Sequence, residues 1–270
     1  MAMLPLIRIP KPPLNDFVDY FWSMSGYSPP HSKELTLPDG SADIVFELRQ
    51  SAVRLYDHEL REFMFGRAIV CGPHSNYFVI DTAGESDVVG IHFKPGGLRP
   101  FAGLPMAELL NRHIPLSELW GTAAEELLER LSDAGTAEER FDLLERLLPS
   151  FAGRPLERSS AIRYALTQLQ EGRRVAELVE RIGLSHGYLD RLFKNEIGLT
   201  PKRIGNLIRF QGTLGRMERG VDLDWAEVAL ACGYYDQSHW IKDFRRFSGL
   251  SPLQYRPIPG RHRNHASLSE

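Results

Sequence analysis

The sequence has little sulfur and no long apolar stretch. Its 270 residues include two cysteines, Cys71 and Cys232, too few for a disulfide framework or a four-thiolate zinc site. No uninterrupted hydrophobic run approaches the roughly 18 residues that span a bilayer. The opening Met1-Ala-Met-Leu-Pro-Leu-Ile-Arg8 lacks the basic segment and apolar core of a secretory leader. There is no glycine-rich phosphate loop and no Gly-x-Ser-x-Gly elbow. What remains is 43% hydrophobic, 25% charged and 10% aromatic, which reads as a reduced, cytoplasmic, globular protein without a membrane segment. The length suits one large domain or two of ordinary size, at ~100 to 200 residues each.

Charge is unevenly spread. Residues 1–155 carry 14 Lys/Arg against 22 Asp/Glu, a net of −8, whereas 156–257 carry a net of +4 and the remainder +1. An acidic first half and a mildly basic second half point to two domains with different partners, the basic one suited to a polyanion.

Residues 1 to about 95 read as strands and loops. Short apolar or β-branched runs cover Ala42–Leu48, Ala52–Tyr56, Phe63–Cys71, Tyr77–Asp81 and Val88–Phe93, with Gly and Pro between them. Turn residues every 8 to 12 positions suggest an antiparallel barrel or sandwich. Helical periodicity takes over at about 105–148. Thr122-Ala-Ala-Glu125 has the form of a capping box. Leu127, Leu128 and Leu131, then Phe141, Leu144, Leu147 and Leu148, form two apolar stripes, as expected of a helical hairpin with acidic outer faces. Pro149-Ser-Phe-Ala-Gly-Arg-Pro155 reads as a linker. The expected organisation is therefore α+β: a β-rich first domain over 1–152 with a helical hairpin, an all-α second domain over 156–257, and a mobile tail over 258–270.

The second half repeats one scheme. Val175-Ala-Glu-Leu-Val-Glu-Arg-Ile182 keeps its apolar residues on one face and stops at Gly183; Ser185 then caps a helix with Leu189, Leu192, Phe193 and Ile197 at core spacing. About 50 residues on, Trp225-Ala-Glu-Val-Ala-Leu-Ala-Cys232 stops at Gly233, and Asp236 caps a helix with Trp240, Ile241, Phe244 and Phe247. Helix, glycine turn, helix is the helix-turn-helix pattern, whose second helix enters a major groove of double-stranded DNA. Two copies with basic second helices are far more specific than one. Off the core stripe lie His186, Tyr188, Asp190, Arg191 and Lys194 in the first unit, and Gln237, Ser238, His239, Lys242, Arg245 and Arg246 in the second. Arg191 suits a guanine edge and Gln237 an adenine, while Lys194, Arg245 and Arg246 suit phosphates. Between the units, Thr200-Pro201 opens a helix of some 18 residues, about 27 Å long and so close to one DNA turn of ~34 Å. One chain could then place two reading helices in successive grooves.

Residues 158–257 resemble the DNA-binding domain of the AraC/XylS family of bacterial transcription regulators. Two stretches carry the resemblance: Val175 to Gly198, and Ala229 to Arg256 with Ala231-Cys-Gly-Tyr-Tyr-Asp-Gln-Ser-His-Trp240, Phe244-Arg-Arg-Phe-Ser-Gly249 and Leu250-Ser-Pro-Leu-Gln-Tyr-Arg256. The resemblance implies a seven-helix domain with two helix-turn-helix units on a shared linker helix. It also implies base contacts from Gly187, Tyr188, Asp190 and Arg191 and from Gln237, Ser238, Ile241 and Lys242. Gly187 has no side chain and Ile241 is apolar where the family carries polar groups, which shifts the expected sequence preference. Some DNA-repair methyltransferases share this domain, but their cysteine-rich zinc module and Pro-Cys-His-Arg motif are both missing here.

For the first half the resemblance implies a domain that senses a small-molecule effector or dimerises. A β-rich domain can hold a ligand between aromatic walls, and Trp22, Tyr77, Phe78, His92 and Phe93 are the candidates. Other readings stay open at this level: a homodimerisation module, a contact for RNA polymerase through the acidic hairpin, a metal site from Cys71, His74, His31 and His92, redox sensing through Cys71, or acid-base chemistry among Asp39, Asp43, Glu47, His74 and His92. No spacing among these marks a metal or a reaction, so neither a cofactor nor an enzymatic activity is expected.

Overall fold

Alternation along the first-half strands gives each one two usable faces, and the structure uses both. The computed structural model describes residues 4–219 and 224–268. In the first half β1 (Leu6–Arg8), β2 (Val18–Tyr27), β3 (Lys33–Thr36), β4 (Ala42–Glu47), β5 (Val53–Tyr56), β6 (Glu62–Phe65), β7 (Ala68–Cys71), β8 (Phe78–Asp81), β9 (Ser86–Phe93) and β10 (His113–Pro115) form two antiparallel sheets, joined by β11 (His265–Ser267) from the end of the chain. The larger sheet has the order β1-β2-β9-β4-β7-β10 and the smaller β11-β3-β8-β5-β6. Both are open, so the arrangement is a sandwich rather than a closed barrel. The run read as one strand over 63–71 is two: it breaks at Gly66-Arg67, leaving β6 at an exposed edge of the smaller sheet and β7 buried in the larger. β2 and β3 escaped the sequence reading although β2 is the longest strand, because polar Asp19, Ser23 and Ser25 interrupt its apolar pattern.

The outer face of the larger sheet is covered by helices. After α1 (Arg99–Ala102) and α2 (Ser117–Trp120), the expected hairpin forms as α3 (Ala123–Asp133) and α4 (Ala137–Leu147). Ala124, Leu127 and Leu131 of α3, with Phe141 and Leu144 of α4, bury against Phe21, Ile44, Phe46, Val70 and Ile91 of the sheet. The capping box lies one helix later than expected. Thr122 is already helical (φ −65°, ψ −25°) and makes no side-chain cap. Thr136 is extended (φ −131°, ψ 156°) and exchanges both capping bonds with Glu139, because an N-cap needs non-helical backbone.

The second half is helical: α5 (Ser160–Gln170), α6 (Val175–Ile182), α7 (His186–Glu196), α8 (Pro201–Glu218), α9 (Trp225–Ala231) and α10 (Gln237–Ser248). These are six α-helices among the described residues against the seven implied, since the stretch after α10 makes only a turn at Ser251-Gln254. Phe210 of α8 packs on Phe244 and Phe247 of α10 at 5.4 and 5.2 Å between ring centres, and Trp225 of α9 stacks on Trp240 at 5.4 Å. Leu35, Leu37, Tyr56 and Val79 of the smaller sheet belong to the same buried apolar cluster as these helices. The outer face of that sheet is therefore the floor on which the helical half rests. No helix of the described residues is long and apolar enough to cross a membrane.

The end of the chain does not trail free. Ser267, Ala266 and His265 pair with Glu34, Leu35 and Thr36 of β3, and Ala266 is fully buried. Just before this strand, Arg261 reaches the fully buried Glu34 at 3.4 Å, and His265 Nδ1 lies 3.5 Å from the same carboxylate. Tyr27 Oη donates to Glu34, and His31 Nε2 is 2.7 Å from it. The tail expectation failed because Arg261 and His265 read as solvated polar residues, whereas their partner Glu34 lies 227 and 231 positions earlier.

Burial alone would raise the Glu34 carboxyl, but His265, Arg261, Tyr27 and His31 together hold it down to about 2. The stability this supplies is complete above the ordinary carboxylate value and is lost as pH falls from about 4.5 toward 2. Arg261→Ala should cost about 3 kcal/mol or more in urea denaturation at neutral pH by leaving a buried carboxylate unpaired. The double change Glu34→Gln/Arg261→Met should cost clearly less; equal losses would mean that packing, not charge, holds the end of the chain.

Candidate nucleic-acid interface and inter-sheet cavity

Both helix-turn-helix units form as their local signals require. Gly183 (φ 73°) and Gly233 (φ 79°) take the left-handed conformation that ends α6 and turns the chain after α9. Ser185 accepts from Tyr188 N to cap α7, and Asp236 accepts from His239 N at 2.7 Å to cap α10. Leu189 and Phe193, then Trp240, Phe244 and Phe247, face inward. That leaves His186, Gly187, Tyr188, Asp190, Arg191 and Lys194 exposed on α7, and Gln237, Ser238, His239, Lys242, Arg245 and Arg246 exposed on α10. Ile241 is different: it is half-buried against the helical core. The Arg191 guanidinium sits over the Tyr188 ring at 5.9 Å. Tyr235, 86% exposed immediately before the α10 cap, was not among the sequence candidates; an aromatic so free of packing is the signal that could have flagged it. α8 has the expected start, with Thr200 as cap and Pro201 in the first turn, and its 18 residues make a rod of about 27 Å between the units.

Between the two sheets lies a cavity of about 970 Å³. Trp22, Phe78 and His92, chosen from the sequence, line it. Tyr77 and Phe93 do not. Phe93 follows His92, so strand alternation turns it to the opposite face, where it is fully buried 5.7 Å from Phe101. Tyr77 packs against Gly249 of the helical half and donates to His58 O at 3.1 Å. Asp39 and Asp43, named from the sequence for acid-base chemistry only, line the same cavity, and the residues missed from the sequence are Arg261, His262, Asn264 and His265. All four of these come from the segment after the second helix-turn-helix unit.

His92 is the electrostatic centre of this cavity. Its Nδ1 is 2.9 Å from Asp43, its Nε2 3.6 Å from Asp39, and its ring stacks on Tyr20 at 4.7 Å. Burial opposes its charge, yet Asp43, Asp39 and Asp19 raise it to about 9, so it is an imidazolium at neutral pH. His74 is the reverse case: buried, with Nδ1 2.6 Å from Gly72 O, it is pushed down to about 4 and stays neutral. Burial, with Asp43 nearby, pushes the Cys71 thiol well up, which disfavours the reactive thiolate that redox sensing needs. Among the described residues no three His, Cys, Asp or Glu side chains come together as metal ligands.

The comparisons divide the chain in the same way. Residues 7–115 match a domain of unknown function, DUF6597, and residues 178–257 match a helix-turn-helix domain. Residues 178–257 are an AraC-type helix-turn-helix domain. Its relatives include the transcriptional regulator MtrA of Neisseria gonorrhoeae, 34% identical over 86 residues that make up 32% of this chain and 28% of that protein. The probable transcriptional regulator LumQ of Photobacterium leiognathi is 32% identical over 119 residues, 42% of this chain and 46% of that one. The match thus spans about a third to a half of the curated relatives' own length. Over the whole chain, an apo variant of ToxT from Vibrio cholerae covers 86% of this protein and 95% of its own length at 11% identity, with a TM-score of 0.48.

The cavity can be probed apart from the AraC-type domain through His92. Its raised value means that its charge stabilises the fold fully below about 6.5 and that this contribution is lost as pH rises through about 9. His92→Gln should remove on the order of 2 to 3 kcal/mol of stability at pH 6 and much less at pH 10. A loss independent of pH, measured by chemical denaturation at both values, would show that His92 is neutral in the folded protein.

Proposed function

We propose that the protein is a sequence-specific DNA-binding transcription regulator in which α7 and α10 enter successive major grooves and a small molecule in the inter-sheet cavity tunes the binding. Residues 1–152 act as the sensing half and 156–257 as the reading half. One observation carries the reading: two helix-turn-helix units flank a single 18-residue helix, with exposed polar and basic faces on both second helices. Arg191 and Gln237 read base edges, while Lys194, Arg245 and Arg246 hold phosphates.

Three links support coupling between the halves. The loop that carries Asp39 into the cavity also touches the linker helix, since Gln211 of α8 donates to Pro38 O at 2.9 Å. The C-terminal end of α7 is tied to the first half through Glu196, 4.0 Å from Arg99 and 3.7 Å from Arg154. The third link is the segment from Pro257 to Ser267, which leaves the reading half and becomes a wall of the cavity. A ligand that displaced either the Asp39 loop or this wall would act on the reading half directly.

A salt-titrated binding assay on the DNA upstream of the protein's own gene, against a scrambled duplex, tests the regulator reading. Specific binding should weaken with salt at a slope of about −0.9 per phosphate contacted. Arg191→Ala or Gln237→Ala should cost about 1 to 3 kcal/mol at the cognate site and relax preference there. Lys194→Ala or Arg246→Ala should weaken all sequences alike and lower the slope by about 1. Uniform behaviour of all four variants would refute the division into base and phosphate readers. Deleting residues 258–270 should shift cognate affinity by about fivefold or more, the ~1 kcal/mol at the low end of the range usual for coupled sites; unchanged affinity would exclude this segment as the coupling route.

A further inference from the structure

One end of the inter-sheet cavity holds more negative charge and more acceptors than its own residues can answer. Asp39 and Asp43 share a single imidazolium, His92, which leaves one negative charge over. Asn264 donates its amide to Asp39 Oδ2 at 3.0 Å. Its carbonyl oxygen is buried with no hydrogen-bond partner among the described residues, and the residue is 6% exposed. The lining arginines cannot supply the missing positive charge. Arg261 is engaged by Glu34 at 3.4 Å, and Arg54 by Glu62 at 3.4 Å and Asp81 at 3.7 Å. Glu47 is satisfied separately by the backbone N–H groups of Arg49 and Gln50. Burial raises the Tyr20 phenol, and Asp43, Asp39 and Asp19 raise it further against the opposing Arg263, which lies 4.0 Å from Glu218, as expected of a local potential that stays negative.

Away from this end one stretch of the wall is apolar. The Trp22 indole lies across Gly90, its partner on the neighbouring strand, so closely that a Cβ there would sit 2.3 Å from Trp22 Cε2. Only glycine leaves the indole this room on the inner surface of the sheet. Val45, Val88, Ile69, Leu55 and Ile80 continue the lining.

We propose that this cavity binds an amphipathic organic cation, its protonated nitrogen against Asp39, Asp43 and Asn264 and its apolar body against Trp22 and the aliphatic wall. The proposal rests on the sensing reading above and narrows it to a ligand class. A cationic nitrogen donates to the unpartnered Asn264 oxygen and cancels the residual charge of the two carboxylates. It can also draw on the electron-rich face of the indole. A carboxylate head would meet the same two aspartates with their one imidazolium already shared. A cavity of about 970 Å³ lies at the upper end of the range for small-molecule sites.

Octylamine, octanol and octanoate share one tail and differ in the charge of the head. Titrated calorimetrically into the full-length protein at neutral pH, octylamine should bind at least about tenfold more tightly than octanoate, with octanol between. Asp39→Asn/Asp43→Asn should erase that preference while leaving octanol binding intact, which also reports that the variant is folded. If octanol binding is lost as well, Asn264→Leu decides, since it keeps both carboxylates: it should weaken octylamine alone. Octanoate binding as tightly as octylamine would overturn the cationic assignment and leave the sensing reading standing. No binding by any of the three up to about 1 mM would overturn the assignment too. The cavity-filling Val45→Trp variant then judges the sensing reading, which falls if its DNA affinity matches the unmodified protein's.

Discussion

The placement of the two halves depends on one buried carboxylate. Glu34 lies in the smaller sheet with no exposed surface, and burying an ion there costs several kcal/mol unless partners replace its water. Tyr27 and His31 come from nearby in the chain; Arg261 and His265 come from the far end. The sheet therefore cannot bury Glu34 comfortably until the helical half has folded and delivered its last segment. The pairing of β11 with β3 follows from the same event, because it sets Ala266 against Leu35 and closes the edge of the sheet. The β3 edge gains a partner strand in the same step that the Glu34 charge gains Arg261.

That closure also decides what the cavity is made of. A sandwich whose inner faces met completely would have only an apolar centre, such as the cluster of Leu55, Ile69 and Cys71 that does form at one side. The sheets part where β4 and β9 present Asp43 and His92 inward, and the arriving segment adds Asn264 and His265 to the gap rather than filling it. Hydrophobic burial holds the sheets together on their outer faces, against α3 and α4 on one side and the reading half on the other. The centre is thus free to be polar, and there His92 and its two aspartates add a charged contribution to that apolar packing.

How much of this could be read from the sequence follows from the range of the interactions involved. The helix-turn-helix units were legible almost to the residue, since caps at Ser185 and Asp236, left-handed glycines at 183 and 233, and apolar spacing are all set within four or five positions. Trp22, Phe78 and His92 were legible as residue types suited to a cavity. Phe93 and Tyr77 were not separable from them without knowing which face of each strand pointed inward, a matter of register with partners tens of residues away. Asn264 and Arg261 were hidden by a longer distance still: Asn264 is bonded to Asp39 across 225 positions, and nothing local in an Arg- and His-rich end announces that it will be a wall. The false capping box at Thr122 shows the converse limit, in which a correct local motif was overruled by backbone already committed to helix.

On the proposed reading, the same difference in range is what lets a ligand matter to DNA binding. Helix-turn-helix units built from local signals would stand ready to bind whatever the first half did. Here their outer faces are free, but their supports are not. α8 leans on the Pro38 loop, α7 ends on Arg99 and Arg154, and the chain beyond α10 is built into the β-sandwich. Each support ends at or near the cavity or the sheets that enclose it, so on the proposed reading a change in the spacing of those sheets would reach both second helices. A ligand shifts such an equilibrium only by its difference in affinity for the two arrangements. On the proposed reading the charge at Asp39 and Asp43 would supply that difference, because the loop that carries Asp39 into the cavity also touches α8 through Pro38 and Gln211.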